Sequence, residues 1–177
     1  VAAGLRDYDQ SRVVLDPVMV ATSGDSLLKG EAVATLRQEL FPLASLITPN
    51  LPEAGKLLAR TVGETADDML AAARELLSLG PKAVLIKGGH GTGAESADLY
   101  LDGDGERWLT APRHATRNTH GTGCTLSSAI AAGLAKGLDM SAAVAEGKAY
   151  VTAAIVAADR LEIGHGHGPV HHFHAWW

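Results

Sequence analysis

Leu46-Ile47-Thr48-Pro49-Asn50-Leu51-Pro52-Glu53-Ala54 passes from a strand into a helix within one short stretch. Leu46-Ile47-Thr48 is apolar and β-branched and reads as a buried strand. Pro49-Asn50 ends it. Pro52-Glu53 opens a helix, and proline suits a first helical turn. Asn50 to Glu53 is open to two readings, a helix cap alone or polar groups delivered to the ligand side of a sheet.

The same switch recurs on both sides. Val13-Val14-Leu15 is an apolar run that predicts a buried strand ending in Asp16-Pro17. The spacing predicts an amphipathic helix over 29–40, with Val33, Leu36 and Leu40 on one face. Thr65 is a suitable N-cap for a helix over 65–79, which Gly80-Pro81 stops. Residues 83–86 predict a third buried strand, ending at Lys87-Gly88-Gly89-His90-Gly91. Residues 98–101 and 106–110, joined by Asp102-Gly103-Asp104-Gly105, predict a hairpin. Helices follow over 122–136 and 141–160, and the Gly/His/aromatic tail over 164–177 is expected to be irregular.

Short apolar strands alternating with helices imply an α/β fold, a mostly parallel sheet flanked by helices. In such sheets ligands bind beyond the carboxyl ends of the strands. Asp16, Asn50 with Glu53, and Lys87-Gly88 all fall there.

The chain has 177 residues, 46% apolar and 20% charged, with a net charge of −5. That is the profile of a soluble globular domain, and we read residues 1–177 as one. The acidic balance argues against a nucleic-acid partner, and no apolar run reaches membrane-span length. A single cysteine rules out an internal disulfide framework and fits a reducing, cytoplasmic setting. The chain opens Val1-Ala2-Ala3-Gly4-Leu5, which reads as the tail of a helix. The expectation is that the beginning of the domain precedes it.

That cysteine lies in Asn118-Thr119-His120-Gly121-Thr122-Gly123-Cys124-Thr125, directly before a helical run. A Gly-rich turn feeding a helix N-terminus leaves backbone N–H groups free, and the helix dipole adds partial positive charge. The same field favours a thiolate at Cys124. One turn can therefore hold a phosphate and supply a nucleophile or base beside it. The alternative is a glycine-rich helix start with a buried, inert cysteine. Carboxylates for Mg²⁺, a lysine for phosphate and a helix N-terminus for the transferring group make up a phosphoryl-transfer set. Neither a Walker A signature nor the protein-kinase motifs occur. Asp16 as a plain strand end, Lys87 as a solvated one and Gly88 to Gly93 as a plain loop are the alternatives.

Four motifs in order carry a family resemblance: Asp16-Pro17-Val18-Met19 with Ser23-Gly24, Thr48-Pro49-Asn50-Leu51-Pro52-Glu53-Ala54, Lys87-Gly88-Gly89-His90, and His120-Gly121-Thr122-Gly123-Cys124-Thr125. In this the chain resembles the hydroxymethylpyrimidine/phosphomethylpyrimidine kinases of thiamine biosynthesis, a branch of the ribokinase-like superfamily. The tail Gly166-His167-Gly168-Pro169-Val170 is similar too. The resemblance covers the chain from Val13 onward and implies a three-layer ribokinase-like fold. It implies an ATP- and Mg²⁺-dependent kinase acting on 4-amino-5-hydroxymethyl-2-methylpyrimidine and then on its monophosphate. By position, Gly121, Thr122, Gly123 and Cys124 would form the anion hole, with Cys124 taking the substrate's proton. Asp16 and Glu53 would organise Mg²⁺, Asn50 would support the phosphate and metal region, and Lys87 and Gly88 would face the ATP phosphates. Val18 would line the pyrimidine pocket.

The resemblance implies a homodimer, and it places the first strands and a pyrimidine-reading glutamine upstream of Val1. Asn118 departs from it, standing where the family commonly has an acid. Pyridoxal kinase and hydroxyethylthiazole kinase are the enzymatic rivals, and a non-catalytic nucleotide-binding module is the rival of another class. Five of the eight histidines lie in 164–177. A packed or solvated tail is the favoured reading of these, over a metal site.

Overall fold

Three apolar runs, each too short to bury itself, become neighbouring strands. The computed structural model describes residues 1–19, 28, 30–89 and 93–177. Ser23-Gly24, Lys29, His90 and Gly91 lie outside the described residues. The chain forms two units, Val1–Thr110 and Ala111–Trp177.

In the first unit, β1 (Val14–Leu15), β2 (Leu46–Ile47) and β3 (Val84–Ile86) pair in parallel, with Val14 opposite Leu46 and Ile47 opposite Val84. β4 (Glu95–Asp102) runs antiparallel to β3, Ile86 facing Leu99, and β5 (Gly105–Pro112) follows it in the sheet. β2 and β3 are fully buried, as expected. β1 is only half-buried, which corrects the expectation for 13–15: among the described residues it is an edge strand with one neighbour. The hairpin strands run longer than expected. Their turn is held by Asp102, whose Oδ1 accepts the Asp104 and Gly105 N–H groups at 2.9 and 3.2 Å.

Side-chain caps at Asn50, Thr65 and Asp139 each start a helix. α1 spans Ala2–Asp7, the helix read in the opening residues. α2 (Gly30–Thr35) widens into a π-type turn over Leu36–Leu40 and a 3-10 turn over Phe41–Leu43. The expected single helix over 29–40 is therefore broken ahead of Pro42, which has no N–H to continue it. α3 (Leu51–Leu58) starts at Asn50, and α4 (Ala66–Leu77) starts at Thr65, whose side chain accepts the Asp68 N–H. One apolar cluster joins α2, α3 and α4 to the sheet, with Phe41, Ile47, Leu57, Leu76 and Ile86 fully buried. Complete burial contributes roughly 1.5–3 kcal/mol for each such side chain.

In the second unit, α5 (Thr122–Ala135) packs against α6 (Met140–Val156). Asp139 caps α6 by accepting the Ala142 N–H at 2.7 Å. The helices approach closely because of two glycines. A Cβ at Gly147 would stand 2.7 Å from Ile130 Cγ1, and one at Gly133 3.2 Å from Ala143 Cβ. α6 stops at Val156, short of the expected 160, and a 3-10 turn covers Ala158–Arg160. The tail is irregular but tied down. The His120 N–H donates to the Gly168 carbonyl at 3.0 Å, and Val170 N–H to the His120 carbonyl at 3.3 Å. Val170 and His171 are buried.

Gly88 is where backbone approach decides the residue. A Cβ there would lie 2.0 Å from the Ala97 carbonyl oxygen, while its N–H donates to Asp98 Oδ1 at 2.9 Å. Gly88→Ala should cost about 2 kcal/mol or more, as overpacking against backbone does. The check is a lower denaturation midpoint at unchanged m-value. An unchanged midpoint would contradict the close approach.

Candidate active site

Parallel pairing brings three strand ends side by side, and each carries a polar group. Asp16 follows β1, Thr48 and Asn50 follow β2, and Lys87 follows β3. The backbone register continues past the strands: Thr48 N–H donates to the Leu15 carbonyl at 3.0 Å and Lys87 N–H to the Pro49 carbonyl at 2.9 Å. The side chains then meet. Lys87 Nζ lies 2.8 Å from Asp16 Oδ1 and 3.9 Å from Glu53 Oε2. Thr48 Oγ1 donates to the same Asp16 oxygen at 3.2 Å. Lys87 and Asp16 keep 13% and 11% of their side-chain exposure, so neither is a solvated strand end.

Asn50 and Glu53 form a reciprocal capping box. Asn50 Oδ1 accepts the Glu53 N–H and Glu53 Oε2 accepts the Asn50 N–H, both at 2.8 Å. The two sequence readings of this turn are thus not exclusive, since Glu53 caps α3 and also faces Lys87. Burial pushes the Glu53 carboxyl above its ordinary value, and the Asp16 charge adds to that. The Asn50 and Met19 amides and the Lys87 charge oppose it.

Asp16 Oδ2 is buried and has no hydrogen-bond partner among the described residues, while Oδ1 takes both Thr48 and Lys87. A buried carboxylate oxygen left bare is costly unless something else meets it. Magnesium fits it, because Mg²⁺ takes one or two carboxylates and fills its remaining positions with water or phosphate oxygens. Among the described residues no group of three or more His, Cys, Asp or Glu gathers as a metal site.

The other expected residues fall as follows. Val18 is 39% exposed, next to the buried Met19, and its N–H donates to the Asp16 carbonyl. Gly88 has the packing role described above. In the second unit Gly121 takes φ +82° at the head of α5 with no capping side chain. Its carbonyl accepts the Thr125 N–H at 2.8 Å, and Thr122 Oγ1 donates to the Thr119 carbonyl at 2.7 Å. The first turn of α5, with Gly123 and Cys124, thus carries no side-chain cap, and its N–H groups lack intrahelical partners. Cys124 is exposed, which excludes the buried, inert alternative.

Beside this turn lies a groove of about 660 Å³, lined by His120, Cys124, Ser128, Tyr150 and His172 among others. Asn118 acts as a bracket. Its Nδ2 donates to Asp159 Oδ1 at 3.0 Å and its Oδ1 accepts the Gly168 N–H at 3.1 Å. An acid at this position would not supply the donor half. Two contributors carry no local sequence signal, the Thr48 hydroxyl and His172. The His172 partner, Thr125, is 47 residues away.

The chain is similar to known proteins along nearly its whole length. Residues 1–171 match the family model described as phosphomethylpyrimidine kinase. The whole chain is 56% identical to a hydroxymethylpyrimidine/phosphomethylpyrimidine kinase of Rhizobium meliloti (strain 1021) and spans 66% of that protein's length. Among solved structures, an ADP complex of Bacillus subtilis pyridoxal kinase aligns with TM-score 0.89 and 36% identity, over 98% of this chain and 65% of that one. A phosphomethylpyrimidine kinase from Clostridium difficile 630 aligns with TM-score 0.72 and 40% identity, over 87% and 62%. The expected ribokinase-like α/β fold is borne out.

The raised Glu53 pKa has a sign. The folded chain holds that proton above the ordinary value of 4.5, and unfolding releases it. Stability from this group is therefore lost as pH rises from about 4.5 through the folded pKa. In metal-free protein, wild type should lose stability relative to Glu53→Gln across that window. Urea melts at stepped pH check this, and a difference that stays flat or rises contradicts it.

Proposed function

The chain belongs to the phosphomethylpyrimidine kinase family, and from that premise we propose that the protein phosphorylates 4-amino-5-hydroxymethyl-2-methylpyrimidine and then its monophosphate, using ATP, in thiamine biosynthesis. The observation that carries the reading is the family match across residues 1–171, and the chemistry of both units agrees with it. The protein works as a cytoplasmic homodimer.

Asp16 and Glu53 would hold Mg²⁺, with the bare Asp16 Oδ2 as the first ligand. When bound, the ion offsets negative charge on the phosphate oxygens. Lys87, already desolvated between two carboxylates, supplies a positive charge toward the ATP phosphates, and Asn50 and Gly88 shape that end of the site. The N–H groups of Gly121, Thr122, Gly123 and Cys124 stabilise charge on the transferring phosphoryl group. Cys124 Sγ takes the hydroxyl proton of the acceptor as its oxygen bonds to phosphorus, and ADP leaves. Val18 contributes to the pyrimidine pocket.

A second reading, pyridoxal kinase, has its own support in the likeness to the Bacillus subtilis enzyme. A panel of hydroxymethylpyrimidine, pyridoxal and hydroxyethylthiazole, with ADP release measured, separates the readings. The pyrimidine should give the highest kcat/KM. A preference for pyridoxal would favour the second reading, and turnover of none of them a binding module.

Cys124→Ala should lower kcat by roughly 100-fold or more, the usual scale for a lost general base, while nucleotide affinity changes little. Steady-state kinetics beside calorimetry test this. A variant at near wild-type rate would make Cys124 structural only.

A further inference from the structure

We propose that His172 is a positioning residue that sets the geometry of the anion-binding turn and so makes the tail a working part of the site. The inference rests on the phosphoryl-transfer reading above and names a residue which that reading does not use.

The observation is a continuous set of hydrogen bonds from α6 to the turn. Tyr150 on α6 donates its hydroxyl to the His172 carbonyl at 2.6 Å. His172 Nε2 shares a hydrogen bond with Thr125 Oγ1 at 3.0 Å. Thr125, only 7% exposed, donates its N–H to the Gly121 carbonyl at 2.8 Å. Gly121 is the left-handed residue that aims the first-turn N–H groups, and no side chain caps it. The direction of those donors therefore depends on Thr125, and the Thr125 hydroxyl is held by His172.

The backbone around His172 is fixed as well. The neighbouring His171 is buried, with its N–H on the Ala154 carbonyl at 3.0 Å and its ring edge-on to Trp177. Val170 is tied to His120, one residue before the turn. His172 is thus an exposed side chain on an anchored stretch, reaching into the groove that Cys124 also lines.

The consequence is specific to the reacting state. Oxyanion-type donors must lie within a few tenths of an ångström of the place where charge develops, and a loosened turn loses rate before it loses binding. His172→Ala should therefore lower kcat about tenfold, the size of one hydrogen bond lost from the transition state, with KM values within about twofold. His172→Gln, whose amide nitrogen can stand near the imidazole Nε2, should recover most of that loss. Thr125→Val should match His172→Ala, and the double variant should be no worse than either.

The experiment measures kcat, KM, thermal midpoint and the iodoacetamide alkylation rate of Cys124 by peptide mass spectrometry, on the full-length protein. The alkylation rate should change in His172→Ala and return toward wild type in His172→Gln. Wild-type kcat and wild-type alkylation in His172→Ala would overturn the proposal. So would equal activity losses in the Ala and Gln variants that track equal drops in thermal midpoint, because those mark a packing role alone. If the wild-type protein phosphorylates no pyrimidine, the kinase reading fails separately. The alkylation comparison then still decides, an altered rate in His172→Ala restored by Gln supporting the positioning role and an unaltered rate overturning it.

Discussion

The ion pair between Lys87 and Asp16, 2.8 Å long and largely withdrawn from water, is the constraint around which the first unit is arranged. Its partners come from the ends of β1 and β3, with the Thr48 hydroxyl from β2 between them. Such a pair forms only if three strands are parallel, in register and cut to the right length. Its value to stability is small, because desolvating two charges offsets most of their attraction. Apolar residues of similar volume would hold the sheet as well. What the charges add is chemistry at the ligand end of the sheet, a fixed carboxylate with one oxygen accepting two hydrogen bonds and the other bare among the described residues.

Glu53 shows how a single residue serves structure and site together. As the N3 member of the capping box it satisfies the Asn50 N–H, which fixes the start of α3. The same geometry carries its carboxylate inward beside Lys87 at a desolvation cost that raises its pKa. The second unit follows the same economy. Gly121 takes a left-handed conformation that suits glycine, and the helix it heads presents the sole cysteine to solvent.

Much of this was legible in the order of residues. Buried strands at 46–47 and 84–86 follow from apolar runs bounded by Pro, Asn and Gly, and the caps at Asn50 and Thr65 follow from residue type. These signals are local, as is the Gly-rich turn. The half-burial of β1 was not legible, because it depends on how many neighbours a strand has. Nor was the break of α2 at Leu36, where position relative to Pro42 outweighed an apolar period that fits one helix. Thr48 and His172 stayed unread for a different reason. The side chain of each acts through a hydrogen bond to a residue more than thirty positions away, and no pattern along the chain marks such a partner.

Cation binding at the first unit depends most directly on Asp16 Oδ2. Titrating Mn²⁺ with ADP into full-length wild type and Asp16→Asn, followed by electron paramagnetic resonance, measures that without turnover. Wild type should bind the ion, and Asp16→Asn should bind it weaker by on the order of tenfold or more while keeping its fold. Equal affinity in the two proteins would contradict it, and Asp16 would then be only the structural partner of Lys87.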